Sequence, residues 1–527
     1  MSIETNVAQV IDLLQRQGWA SYRTLRRRFH FDEAMIEAIK TELIEVRQVA
    51  VENESGQQLV WRGELRPAMA SPGIFDAVLE ATPAAVADVA PVSVSPLEPL
   101  PASIESSRPL TSLVGREQEV GLLRQRWSQA QSGQGQVVVV RGEAGIGKSR
   151  LVQVLKSHVA GEPHLRWECR CASEAQNSAL YPIIDLFQRG FHFELGDDPS
   201  DQLRKMESAL SPYEVSLPEL MPLFASLLSV PLANRHPPLT ISPIQQRQRT
   251  LAAVRDLLLS LAAEQPVLLI VEDLHWVDPS TLELLSLLIE PVASSRLYMV
   301  LTSRPEFQAP WASPAHSTTL TLTRLLPVQV NALVKEVAGS KNLPTSVLDR
   351  IVTEAEGVPL FVEEMTRMVL DSAVLESVGE GSEPLGSLPQ VLMPKTVQEL
   401  VQSRLRTLGS SAQAVAQVGA MWGRTITESQ MEAISPLGWQ ELPRALSELV
   451  GADILQEIEL PPQVTYVFKH ALIQEAAYGM MSPEARQARH GQMGEVLETQ
   501  FGELVERQPE LVAHHYMEAG LNEQAVI

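Results

Sequence analysis

The sequence predicts an α/β core, a parallel sheet flanked by helices, with a small helix-and-hairpin module ahead of it and a mainly helical region after it. Three observations carry this. Short apolar runs alternate densely with helical periodicity from Leu113 to about Leu325. Within that stretch the apolar run Gln136 to Arg141 leads at once into a glycine-rich loop and then a helical pattern. From about Leu325 to about Met480 the periodicity is helical, with one β-like interruption near Ile454 to Val467.

Composition bounds the function classes. The 527 residues imply several domains, and 45% hydrophobic with 20% charged residues is ordinary for globular protein. Lys plus Arg number 42 against 64 Asp plus Glu, a formal net charge of −22. That disfavours a chain whose main role is coating nucleic acid or an anionic membrane. No run of about 18 apolar residues occurs, and the opening MSIETNVAQV lacks the pattern of a signal peptide. Cys169 and Cys171, one residue apart, suit neither a disulfide nor a zinc site, and read as reduced thiols on one face of a strand. The expectation is a cytoplasmic protein without a membrane span.

Residues 1–63 read as a winged-helix-like module. Val7, Ile11 and Leu14 have helical spacing, Ser21 is placed to cap a second helix, and Asp32 a third carrying Ile36, Ile39 and Leu43. Val49 to Val51 and Leu59 to Trp61 then resemble a hairpin. Residues 64–110, punctuated by eight prolines among Ala, Val and Ser, read as a linker.

The chemistry begins at Gly142-Glu143-Ala144-Gly145-Ile146-Gly147-Lys148-Ser149, which satisfies G-x-x-x-x-G-K-[ST] between a strand and a helix. Glycines let the backbone curl so that successive N–H groups face phosphate oxygens, and the helix N-terminus adds a favourable dipole. Lys148 would sit between the β- and γ-phosphates of ATP, and Ser149 would offer its hydroxyl to Mg²⁺. Gly142, Gly145, Ile146, Gly147 and Arg150 complete the expected loop contacts.

Pro266 to Val271 is an apolar strand ending in Glu272-Asp273, carboxylates suited to holding hydrated Mg²⁺ and polarising a water. By position Glu272 takes the metal and Asp273 the water, with the reverse assignment open. Asp278 and Ser280 read as caps of the helix starting near Pro279, while His275 and Trp276 pack or hydrogen-bond locally. The strand Leu297 to Leu301 ends in Thr302-Ser303-Arg304, an arginine placed to reach a γ-phosphate.

Leu113-Val114-Gly115-Arg116-Glu117, the phosphate loop, VEDLHWVD (271–278), TSR (302–304) and EGVPLFVEE (356–364) occur in this order. Together they resemble the STAND branch of AAA-related P-loop ATPases. CRCASEAQNSALYPIIDLF (169–187) and SPIQQRQRTLAAV (242–254) are similar to the ATPase portion of large bacterial adenylate/guanylate cyclase-like regulators. The resemblance implies that Val114, Gly115 and Arg116 line the adenine and ribose pocket. It implies too that Gly357 and Pro359 close a helical lid, although a helix C-cap and a first-turn proline explain both residues structurally. It further implies a winged-helix domain whose histidine touches the β-phosphate of ADP. His470 sits where that residue is expected, and packing is the competing role.

The expected organisation is therefore an ATPase core at 111–325, a lid at 326–390, a winged helix at 391–480 and the start of TPR-like repeats at 481–527. Repeats need neighbours, so the expectation is that more sequence follows naturally. Glu272 departs from the usual Asp, and residues 64–110 leave no room for a cyclase domain. The function expected is a slow ATP-hydrolysing switch that senses a protein or small molecule through the C-terminal helices, with nucleotide-dependent oligomerisation left open. The alternatives are a DNA-binding regulator, using Arg23, Arg26, Arg27 and Arg28, and a nucleotide-binding scaffold without hydrolysis.

Overall fold

A computed structural model describes residues 113–371 and 396–525 apart from short interruptions, together with residues 10–11, 19–21, 39–40, 43–44, 50–52 and 58–61. Two compact units result, one holding the residues up to Val92 and one holding residues 93–459 and 463–527.

In the N-terminal unit β1 (Trp19–Ser21), β2 (Ala50–Glu52) and β3 (Gln58–Trp61) form an antiparallel sheet in the order β1-β3-β2. The hairpin matches the apolar runs read from sequence. Ser21, expected as a helix cap, instead ends β1 and pairs with Gln58. An isolated hairpin is marginal, and a third strand shields one of its edges. The three expected helices fall mostly outside the described residues, as do the linker 64–110 and residues 372–395, the end of the expected lid (326–390) and the start of the expected winged helix (391–480).

The second unit is built on a five-stranded parallel sheet. Its strands are β4 (Gln136–Arg141), β5 (Leu165–Arg170), β6 (Val267–Glu272), β7 (Leu297–Ser303) and β8 (Ser317–Thr321), in the order β5-β6-β7-β4-β8. β6 and β7 are buried along their whole length, as strands covered on both faces must be. One apolar core, containing Trp167, Phe187, Leu257 and Leu288, packs helices on one face. Another, containing Trp127, Ile146, Leu155 and Tyr298, closes the other. This is the α/β P-loop arrangement expected. Sequence reading passed over β8, because STTLT is short, half-exposed and lacks a continuous apolar run.

Helices Pro327–Ala338, Thr345–Glu354 and Pro359–Asp371 share a third core with Val358 and Leu400. Beyond them helices Val397–Arg406, Ser410–Trp422, Leu442–Gly451 and Ala471–Gly479 surround a small sheet of β9 (Thr425–Thr427), β10 (Leu455–Leu460) and β11 (Gln463–Phe468). The β-like interruption is the β10–β11 pair, and β9 adds an edge too short to read from sequence. Helices Pro483–Gln500, Gly502–Arg507 and Pro509–Glu518 finish the described chain. No described helix is long and apolar enough to cross a membrane.

Candidate nucleotide site

Every strand of the parallel sheet points its C-terminal end toward one edge, where open α/β sheets bind ligands. The glycine-rich loop lies there, between β4 and the helix Lys148–Val159. Gly145 and Gly147 adopt φ of +77° and +102°, a region that side-chain-bearing residues avoid, so the curl of the loop requires glycine. Ile146 is buried in the core beneath, which makes it an anchor for the loop. The Lys148 ammonium donates to the carbonyls of Gly142 and Glu143, both at 2.9 Å. Burial pulls its pKa down, against the pull of Asp273.

The acidic strand end meets the loop directly. Ser149 Oγ donates to Glu272 Oε2 at 2.7 Å, and Arg170 Nη2 donates to the same oxygen at 2.8 Å. Arg170 Nε lies 3.5 Å from Asp273 Oδ2, so one guanidinium serves both carboxylates. The cause is register, since Arg170 ends β5 directly opposite Glu272 on β6. Burial alone would raise Glu272; the Arg170 charge and the bonds from Ser149 and Arg170 outweigh it and hold the carboxyl at about 2. Asp273 is shifted upward, because burial and Glu272 oppose its charge more than Arg170 favours it. Asp273 also stands at φ +62°, an uncommon conformation held by its N–H bond to Thr302 Oγ1 at 2.9 Å. Sequence reasoning missed Arg170. Its signal was an arginine at the end of a buried strand, on the edge where the other motifs lie.

Arg304 follows β7 immediately, and its guanidinium is engaged by two neighbouring side chains. Nη2 donates to Glu475 Oε1 at 2.5 Å, and the guanidinium carbon lies 5.1 Å from the centre of the Trp276 ring. His275 stacks on Trp276 with ring centres 4.3 Å apart. Of the two roles expected for His275, packing or local hydrogen bonding, it packs: both ring nitrogens are buried without a hydrogen-bond partner among the described residues. Burial, Arg304 and Lys148 lower its pKa to about 4. Asp278 caps the helix Pro279–Val292 as expected, its Oδ1 accepting from the N–H groups of Ser280, Thr281 and Leu180. Ser280 does not cap; Pro279 occupies the first helical position, leaving Ser280 inside the first turn as an acceptor for Arg247.

On the lid side, Gly357 has φ +77°, and an added Cβ would lie 2.3 Å from the Leu325 carbonyl oxygen. Pro359 then opens its helix, and Leu360 N–H donates to the Gly145 carbonyl at 3.2 Å, seating that helix on the phosphate loop. Arg150 faces the lid acids Glu363 and Glu336. Val114 packs against the lid core, and a Cβ on Gly115 would collide with the Gln329 side chain. Arg116 is buried with its guanidinium bound to Glu119 at 3.1 Å and to the Thr323 carbonyl.

His470 sits at the N-cap position of the helix Ala471–Gly479 but makes no side-chain capping bond. Burial and the neighbouring Arg424 and Lys469 charges lower its pKa to about 3, so the imidazole is neutral. Arg424 donates to the Phe468 and Lys469 carbonyls, each at 3.2 Å, and lies in the field of Glu272, Asp273 and Arg170.

A glycine-curled loop with a lysine, a serine bonded to a strand-end acid and a parallel sheet behind them define a P-loop nucleotide-binding site. Residues 112–301 match the profile of the AAA ATPase domain family, and this segment is an AAA-related P-loop ATPase domain. An uncharacterized protein of Rhizobium meliloti is 26% identical over 420 residues, covering 79% of this chain and 40% of the relative. The chain thus spans well under half of that relative's length. Among solved structures, a STAND protein with a tetratricopeptide repeat sensor from Pyrococcus horikoshii aligns with TM-score 0.45 and 13% identity, over 81% of this chain and 56% of that one. The Aeropyrum pernix ORC1 protein in complex with DNA aligns with TM-score 0.31 and 12% identity, over 70% and 94%.

Proposed function

We propose that this chain is a STAND-class switch that binds Mg²⁺-ATP and hydrolyses it slowly to ADP and phosphate, its nucleotide state repositioning the winged-helix and C-terminal helical parts. The observation that carries the reading is the 2.7 Å bond from Ser149 to Glu272, beside a phosphate loop whose lysine is already buried in it. A magnesium ion carried in with a nucleotide needs only one or two protein oxygens. The Ser149 hydroxyl and the Glu272 carboxylate are such donors, so these residues fit it; the ion would supply charge neutralisation at the β- and γ-phosphates.

The chain's own groups perform the rest. Lys148 exchanges two loop carbonyls for phosphate oxygens. Glu272, kept ionised, serves the metal, and Asp273, whose proton affinity is raised, orients the attacking water. Arg304 meets the γ-phosphate once it leaves Glu475, and neutral His470 donates to the β-phosphate of ADP. The lid helix opening at Pro359 covers the base opposite Val114 and Gly115.

Titration with a fluorescent ATP analogue and Mg²⁺ tests the site. Lys148→Ala should weaken binding at least tenfold, about 1.4 kcal/mol. Equal affinity in the variant and the parent would remove the assignment.

A further inference from the structure

We propose that Glu475 is a positioning residue for Arg304, an acidic latch that must let go before this arginine can serve a γ-phosphate. The inference rests on the reading of Arg304 given above and deepens it. Arg304 stands at the C-terminal end of β7, beside the phosphate-loop strand β4, where an arginine can meet the terminal phosphate of a nucleotide. Its guanidinium is instead held in two ways. Glu475 Oε1 accepts from Nη2 at 2.5 Å, and the Trp276 ring lies under the cation.

The position of Glu475 in the chain gives the contact its meaning. It lies on the helix Ala471–Gly479, five residues after His470, and that helix packs in the core with Leu405, Val415 and Phe468 rather than in the core of the sheet. The latch therefore joins the parallel sheet to a separately cored body. Trp276 belongs to the turn after Asp273, so the ring under the guanidinium is anchored in the acidic strand's own loop. A γ-phosphate competes with Glu475 for the same cation. Release of Arg304 to the phosphate and displacement of the Ala471–Gly479 helix become one event. Hydrolysis then depends on displacement of the C-terminal body, without any added inhibitor.

The pair is partly solvent-exposed, with Arg304 at 29% and Glu475 at 35%. Partly exposed pairs are weak and screened by salt, so the latch sets a modest bias rather than a lock. That bias corresponds to a change of roughly three- to fivefold.

The experiment is phosphate release from ATP and Mg²⁺ by the full chain, at low and at high NaCl, for the parent, Glu475→Gln, Glu475→Ala and Arg304→Ala. Melting curves confirm that each is folded. At low salt Glu475→Ala should turn over roughly three- to fivefold faster than the parent, with Glu475→Gln, which keeps an acceptor but no charge, in between. High salt should raise the parent toward Glu475→Ala and leave that variant's relative position to vanish, which loss of a merely structural contact would not produce. Arg304→Ala should be slow at both salts. If Arg304→Ala is slow while neither Glu475 variant exceeds the parent, the latch is overturned and the role of Arg304 stands. If Arg304→Ala equals the parent, the role of Arg304 fails, and the latch with it.

Discussion

At the scale of single residues, side chains in this site are constrained more by what they already hold than by what they are. Glu272 accepts from Ser149 and from Arg170 through one oxygen, Lys148 is bound to loop carbonyls, and Arg304 to Glu475. His470 stands at a helix N-cap without a side-chain capping bond. If it contacts the β-phosphate in a closed ADP-bound form, His470→Ala should shift the population toward the open form. ADP dissociation should then quicken by roughly 5- to 150-fold, the range of a typical coupling of about 1–3 kcal/mol. Stopped-flow release of fluorescent ADP measures this. A lowered melting temperature with unchanged release would assign the residue to packing. The phosphate loop was legible in sequence because its backbone path demands glycine where φ is +77° and +102°. Arg170 was not legible, because a strand-end arginine gains its meaning only from the register that sets it opposite Glu272.

At the scale of elements, the strands buried on both faces were legible as apolar runs, and those at edges were not. β6 and β7 read clearly, whereas β8 and β9 are short and partly exposed. The C-terminal helices carry a feature that only packing reveals. His490 Nδ1 and His515 Nδ1 lie 2.8 Å apart, and Tyr478 OH lies 3.0 Å from His490 Nε2, joining three helices in one hydrogen-bonded chain. Both histidines are buried. Burial, then His514 and Arg486, lowers His490 to about 4; burial, then His490 and His514, lowers His515 to about 3. The unfolded chain titrates near 6.5 and so binds more protons than the folded one below that pH. Their contribution to stability is complete above about pH 6.5 and is lost as pH falls toward 4. Between pH 7 and pH 5 the loss should be on the order of 2–4 kcal/mol for the pair. A double His490→Gln, His515→Gln variant should show a flatter fall of melting temperature over that window. An unchanged slope would mean that the pair does not set the acid sensitivity.

At the scale of the whole molecule, the segment matching the AAA ATPase domain, 112–301, is followed by helices of which one rests on the phosphate loop through Leu360 and Gly145. Just past that segment, Arg304 touches the C-terminal body through Glu475. The order of motifs made the nucleotide site legible before any fold was seen. The Arg304–Glu475 contact was not legible, because its two residues are 171 positions apart in sequence. If these parts form one working ATPase, the full chain turns ATP over. Purified full chain incubated with ATP and Mg²⁺ should release ADP and phosphate slowly, with no cyclic nucleotide, and Lys148→Ala should reduce release at least tenfold. Phosphate release unaffected by Lys148→Ala, or a cyclic nucleotide as product, would contradict the account, and tight ATP binding without any release would leave a nucleotide-binding scaffold in its place.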